Sequence, residues 1–153
     1  MNAEKLAELP LFKDLNPDHL AILAGGVERE KFARGNLIFN QGDRADKLFV
    51  LLEGRVAIRY KPYDGDVLPV AEIEPNGVFG WSAALGRPSY TSCAVCLAES
   101  VMLSMRGDSL KHLCEQHPDT GVIILERLAE VIAQRLQNTH AHVIELLRNG
   151  VNS

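Results

Sequence analysis

Three groups of side chains in this chain are of types that carry chemistry, and their spacing decides what each can do. Cys93 and Cys96 have the separation of a redox or zinc pair. On a strand, however, residues three apart point to opposite faces, so the two read as structural thiols. His112, Cys114 and His117 are metal-ligand types on a short helical stretch, but His112 and Cys114 are two apart and share no face. His140 and His142 fail in the same way. The third group is the run Phe79-Gly80-Trp81-Ser82-Ala83-Ala84-Leu85-Gly86-Arg87-Pro88-Ser89-Tyr90-Thr91-Ser92-Cys93-Ala94-Val95. A helix opening at Gly80 to Ala83 presents unpaired amides and about half a positive charge, so it can hold an anion unaided. Gly80 lets a ligand approach the backbone, and Ser82 adds a hydroxyl. Trp81 can stack on a ligand ring, fill a pocket or anchor the loop. Arg87 is a cation placed before Pro88, either swung toward the helix start or left in solvent.

Catalytic chemistry finds no support beside this loop. Serine, histidine and aspartate occur without a nucleophile motif such as Gly-x-Ser-x-Gly, and no carboxylate cluster falls in the loop. A metal-dependent β-barrel enzyme needs histidines on its strands, and none lies between His19 and His112. The expectation is a protein that is not an enzyme and has no catalytic or metal-ligating residues. A net charge of −4 gives no basic footprint for nucleic acid. Three cysteines fit a reducing compartment better than a disulfide framework. No segment has the apolar length of a membrane span, and Met1-Asn2-Ala3-Glu4-Lys5 is not a signal peptide, so a cytoplasmic protein is expected.

The elements that must position the loop follow from periodicity. Asn16-Pro17-Asp18 makes a helix cap, a first-turn proline and an acidic first turn, and Leu20, Leu23, Ala24 and Val27 follow at helical spacing to a stop at Gly25-Gly26. From Gly35 to Met105 the pattern changes to short strands: an apolar run from Leu48 to Leu52, then Val56, Ile58 and Tyr60 alternating. Asp64-Gly65 supplies a hairpin turn, and Val67 to Ile73 returns as a strand in which Pro69 implies an edge or a bulge. Ser92 to Ala98 and Val101 to Met105 form a last pair around Glu99-Ser100. The C-terminal third is helical, with a short helix from Gly107-Asp108-Ser109 to Glu115 and a long one from Pro118 to about Asn149-Gly150. Along the long helix Gly121, Leu125, Leu128, Ile132, Leu136, Thr139, Val143 and Leu146 form a nearly heptad stripe. The expected fold is mainly β with flanking helices: a β jelly roll over about residues 30–106, an N-terminal helix, and a C-terminal helical segment over about 108–149, all one domain spanning 1–153.

Several of these motifs together resemble the cyclic nucleotide-binding domain family. The run Phe79 to Val95 resembles its phosphate-binding cassette, in which Phe-Gly-Glu-x-Ala opens a short helix and Pro-Arg-Ser/Thr-Ala-x-Val follows as a strand. Gly35-x-x-Ile38-x-x-x-Gly42-Asp43 resembles the family's early turn-strand-turn. Phe49-Val50-Leu51-Leu52-Glu53-Gly54-Arg55-Val56 resembles its strand, tight turn and returning strand. Pro75-Asn76-Gly77-Val78-Phe79-Gly80 resembles its Pro-Gly-Asp-x-Phe-Gly turn, with Asn76 able to keep the left-handed conformation. The resemblance covers roughly residues 11–148.

What it implies about the ligand is set by two departures. The family's Glu accepts the ribose hydroxyl, and here Trp81 stands in its place. The family's Arg grips the cyclic phosphate, and here Thr91, or Ser89 under another gap placement, stands there. Hydrogen bonds to charged groups contribute about 1.5–3 kcal/mol each, so losing two weakens binding by roughly two to four decades. The expectation is a regulatory or sensor domain with a degenerate cassette (Gly80, Trp81, Ser82, Ala83, Arg87, Thr91 and Ser92) that binds a different ligand or none. The alternatives are a genuine cyclic AMP or cyclic GMP sensor, binding weakly with Arg87 compensating, and a purely structural interaction module. By the resemblance, Gln134, Gln137, Asn138 and Thr139 on the long helix are candidates to touch a base. A homodimer through Leu125, Leu128, Ile132, Leu136 and Val143 is expected, with no membrane contact and no direct DNA binding. The last follows because no helix-turn-helix length remains after the long helix, and the chain reads as a natural short protein.

Overall fold

The computed structural model describes residues 3–62 and 65–152, the side chains of residues 139, 141–143, 146 and 149–152 excepted. Asp64 of the expected hairpin turn and the side chains of Thr139, Val143 and Leu146 of the helical stripe lie outside what is described.

The chain opens with a helix α1 (Ala3–Leu6), a 3-10 turn (Pro10–Phe12) and a helix α2 (Pro17–Ala24). Asn16 caps α2 as its sequence implies, its side-chain oxygen accepting from the Asp18 amide at 2.9 Å. Eight strands follow in chain order: β1 (Val27–Phe32), β2 (Leu37–Phe39), β3 (Lys47–Glu53), β4 (Val56–Tyr60), β5 (Leu68–Ile73), β6 (Val78–Phe79), β7 (Cys93–Cys96) and β8 (Ser100–Arg106). Helices α3 (Gly107–Gln116) and α4 (Pro118–Asn152) complete the chain. The α4 helix runs past the stop expected at Asn149-Gly150. Val27, which helical spacing placed at the end of α2, instead opens β1 opposite Met105. Gly25-Gly26 ends the helix before it, and the next six residues gain a ladder along β8.

The strands form two antiparallel sheets, ordered β1-β8-β3-β6 and β2-β7-β4-β5, which make the jelly roll. Strand β3 is apolar without alternation because both its faces are buried. Leu48 and Val50 face a core shared with α1–α4, in which Leu6, Phe12, Leu20, Leu110, Ile124 and Leu128 are buried. Phe49 and Leu51 face the interior of the roll, beside Phe79, Tyr90, Ala94 and Met102. Strand β5 lies at an edge of its sheet, and Pro69 sits opposite Arg59 where the register slips, so its missing amide costs no regular ladder bond. Gly54 joins β3 to β4 at φ +102°, and a side chain there would run into Ser100 and the Glu99 carbonyl. Asn76 takes φ +73°, the left-handed conformation its turn requires.

Candidate cavity between the cassette turn and the long helix

The segment after β6 folds as one turn rather than the short helix its sequence implies. Residues 81–86 are turn. Gly80 at φ +74° enters it and Gly86 at φ +71° leaves it. The Leu85 amide donates to the Trp81 carbonyl at 3.1 Å, and the Arg87 amide to the Ser82 carbonyl at 3.0 Å. That last bond, with a left-handed glycine before it, is a helix-ending arrangement, so the turn is closed as soon as it starts. A single turn aligns few peptide dipoles, and the half-charge expected of a helix start does not develop. What remains is local: a few amides at Gly80 to Ser82 and the Ser82 hydroxyl.

The turn is held from behind. A side chain on Gly107 would overlap the Ala83 carbonyl, so the start of α3 packs directly on the turn. Ala83 is buried at this contact and does not line the cavity on the other side. That cavity has a volume of about 330 Å3. Gly80, Trp81 and Ser82 from the turn, Thr91 and Ser92 before β7, and Ile132, Arg135 and Leu136 from α4 line it. Its floor is aromatic. The Phe39 and Tyr90 rings stack with centroids 3.8 Å apart, and Phe79 lies 6.2 Å beyond Phe39. The Tyr90 hydroxyl is tied to β3, donating to the Lys47 carbonyl at 2.6 Å and accepting from the Lys47 amide at 3.0 Å. Burial pushes the Tyr90 phenol above its ordinary value, so it presents a neutral ring to the cavity.

Arg135 is the charged residue of this lining. Its guanidinium donates to the Val78 carbonyl at 2.7 Å and lies over the Trp81 ring, 4.7 Å from its centroid. Burial lowers its pKa to about 10, because a guanidinium held out of water loses hydration that favours its charge. One side chain thus joins α4 to the start of β6 and to the start of the turn. Arg135 belongs to the inward face of α4, with Ile124, Leu128, Val131 and Ile132, all packed on the helix-side core. An arginine in register with an inward apolar stripe is the sequence signal that marks it, and the stripe drawn through Leu125 and Leu136 passes it by.

The other expected residues are distributed as follows. Arg87 is exposed, takes no part in the lining and contributes its amide to closing the turn. Thr91 and Ser92, hydroxyl-bearing residues, line the cavity where the resemblance implies a guanidinium. Gln134, Gln137 and Asn138 are exposed, and Gln134 donates to Asn138 at 3.2 Å along the helix surface, away from the lining. Of the stripe on α4, Leu128 is buried and Ile132 is half-buried against the core of its own chain. The exposed apolar residues of α4 include Val122, Leu125, Leu136, Ile144 and Leu147, with Leu136, at the cavity's edge, 68% and Leu147 64% exposed. Cys96 is buried and Cys93 half-buried, as opposite faces of β7 require. His117 stacks on His19, ring centroids 3.9 Å apart, and the His19 ring pairs with the Thr120 hydroxyl. Among the described residues no three His, Cys, Asp or Glu side chains converge as a metal site. Among them, too, no helix is long and apolar enough to cross a membrane.

Comparison with known proteins agrees with this architecture. The family model "Cyclic nucleotide-binding domain" matches residues 29–117, β1 through α3. The chain belongs to the cyclic nucleotide-binding domain family. Within it, the chain is 28% identical over 148 residues to a CRP-like cAMP-activated global transcriptional regulator of Mycobacterium tuberculosis, covering 97% of this chain and 64% of that protein. The chain therefore spans less than two thirds of the length of that relative. A crystal structure from Geobacter metallireducens GS-15, assigned as a cyclic nucleotide-binding protein, superposes with a TM-score of 0.79 at 26% identity. It covers 89% of this chain and 98% of that one. The regulatory subunit of a cAMP-independent protein kinase A from Trypanosoma cruzi, bound to guanosine, shares the fold at a TM-score of 0.72 and 18% identity. The match covers 97% of this chain and 50% of that chain. The family is a regulatory one; the match spans nearly all of the Geobacter chain but only 64% and 50% of the other two.

Proposed function

We propose that this chain is a ligand-responsive regulatory domain, not a catalyst, whose cavity takes a ligand other than a cyclic nucleotide and which signals through α4. The observation that carries the reading is the contact of Arg135 with Trp81 and the Val78 carbonyl. It fastens α4 to the cassette turn at the position where the family's acid would face the ribose. The lining offers a nucleotide no carboxylate, and the hydroxyls of Thr91 and Ser92 cannot replace a bidentate guanidinium. The guanosine-bound relative supports the reading, since guanosine has no phosphate to grip. A second copy meeting the outer stripe of α4 is the partner this reading entails, and the net charge of −4 favours such a partner over nucleic acid.

A genuine cyclic AMP sensor is the second reading, favoured by the cAMP-activated relative and by the guanidinium at the cavity. The cation concerned is Arg135 rather than Arg87. Titration calorimetry of the whole chain with cyclic AMP and cyclic GMP separates the two. No saturable heat below about millimolar concentration is expected, given the two to four decades that the missing contacts remove. In the Trp81→Glu/Thr91→Arg double variant cyclic AMP binding rises by roughly two decades or more. Micromolar binding by the unaltered chain defeats the first reading.

A further inference from the structure

We propose that the cavity takes a flat, uncharged aromatic molecule with one hydrogen-bonding group, its ring against the Phe39–Tyr90 stack and its polar edge at Ser82. This rests on the reading that the cavity holds a ligand, and goes further by naming the ligand's class. Three observations carry it.

The first is shape and surface. The chain has one Trp, three Tyr and five Phe, and five of these residues line this one cavity. A ring laid against them gains offset stacking in addition to burial, whereas an alkyl chain gains burial alone. A volume of about 330 Å3 sits at the small end of ligand pockets, which admits two fused rings with a substituent.

The second is a hydroxyl without work inside the protein. Ser82 is 6% exposed, lines the cavity, and its side chain makes no hydrogen bond to any described residue. No side-chain polar atom among the described residues is both sealed off and unpaired, so the Ser82 hydroxyl is open toward the cavity. A buried hydroxyl in that position is satisfied by a polar group on whatever fills the space. The Tyr90 hydroxyl, committed to Lys47 at both its donor and its acceptor side, offers no such partner.

The third is charge. Arg135 is the charged lining residue, and its guanidinium is engaged with the Val78 carbonyl and the Trp81 face. A cationic ligand is repelled by it, and an anionic one competes with the Val78 carbonyl and the Trp81 face for it. A neutral molecule leaves them in place and loses little hydration on entry.

The test is calorimetry on the whole chain, with Trp81 fluorescence read alongside, using naphthol, naphthoate, octanol and cyclic AMP as probes. Naphthol is expected to bind at least about tenfold tighter than naphthoate or octanol. Ser82→Ala, checked by its melting curve to be folded, is expected to weaken naphthol about two- to tenfold, the effect of one hydrogen bond. Octanol binding as well as naphthol overturns the shape argument. Naphthoate binding tighter overturns the charge argument, and indifference to Ser82→Ala overturns the placement. If only cyclic AMP binds, or nothing does, it is the underlying reading of the cavity that falls.

Discussion

Replacing Arg135 with Met removes its bond to Val78, its contact with Trp81 and the burial of its charge, whose sizes nearly cancel. The hydrogen bond from a charged donor to the Val78 carbonyl contributes about 1.5–3 kcal/mol. The guanidinium over Trp81 adds about 0.5–2 kcal/mol. Against these stands the burial of the charge. A pKa lowered from 12.5 to about 10 corresponds to roughly 3 kcal/mol spent on keeping the guanidinium charged in the fold, at about 1.4 kcal/mol per pH unit. Methionine occupies similar apolar volume and relieves that cost. The expected change in stability is therefore within about 2 kcal/mol of zero, or roughly 8 °C or less in Tm for a chain of this length. Denaturant melts and calorimetric scans of Arg135→Met beside the parent measure it. A loss above about 3 kcal/mol refutes the balance and makes the arginine a structural clamp. A near-zero change, together with a shift in Trp81 emission, shows that the side chain serves the cavity and not the fold.

Three other perturbations have outcomes fixed by the same structure. Burial raises the Cys96 and Cys114 thiols above the ordinary 9.0. The unfolded chain thus ionises first, and stability falls as pH rises from about 9 toward the raised folded values. Tm measured between pH 8 and 10.5 shows this decline, and the double Cys96→Ala/Cys114→Ala variant flattens it. Gly54→Ala meets Ser100 and the Glu99 carbonyl at φ +102°, so a loss of about 2 kcal/mol or more is expected in urea melts, against near neutrality if the turn can open. Leu147 is 64% exposed on the outer face of α4, and Leu147→Asp is expected to convert a dimer to a monomer in light scattering without lowering monomer helicity. A parent chain that is already monomeric at tens of micromolar, an ordinary dimer's range, removes the second copy from the proposed function.

The roll was readable because its turns leave chemical marks. Gly42, Gly54 and Asn76 stand where the backbone takes positive φ, and the doubly buried β3 shows as an unbroken apolar run. Val27 was not readable: an apolar residue after Leu23 and Ala24 fits a helix until the ladder to Met105 claims it. The cassette turn kept its spacing but not its helix, since Gly86 and the Arg87 amide close it from inside the same eight residues. The long helix misled most. Leu125 and Leu128 are one helical step apart, yet the boundary between inside and outside passes between them, and a single stripe drawn through both spans two faces. Arg135 was passed over for a related reason. Its charge argues for solvent, and only the carbonyl at Val78 and the ring at Trp81, distant in sequence, explain why it turns inward.

The contact of Arg135 with Val78 and Trp81 also sets a mechanical ratio for any tilt of α4 about it. Helix α4 has 35 residues, and the 17 beyond Arg135 extend about 25 Å at 1.5 Å per residue. Pivoting there, each degree of tilt carries the far end through roughly 0.4 Å on that rise. A displacement beside the pivot grows along the helix in proportion to the distance from it. Under the proposed function, a displacement at Trp81 would become travel at the far end, with the length of α4 as its gain.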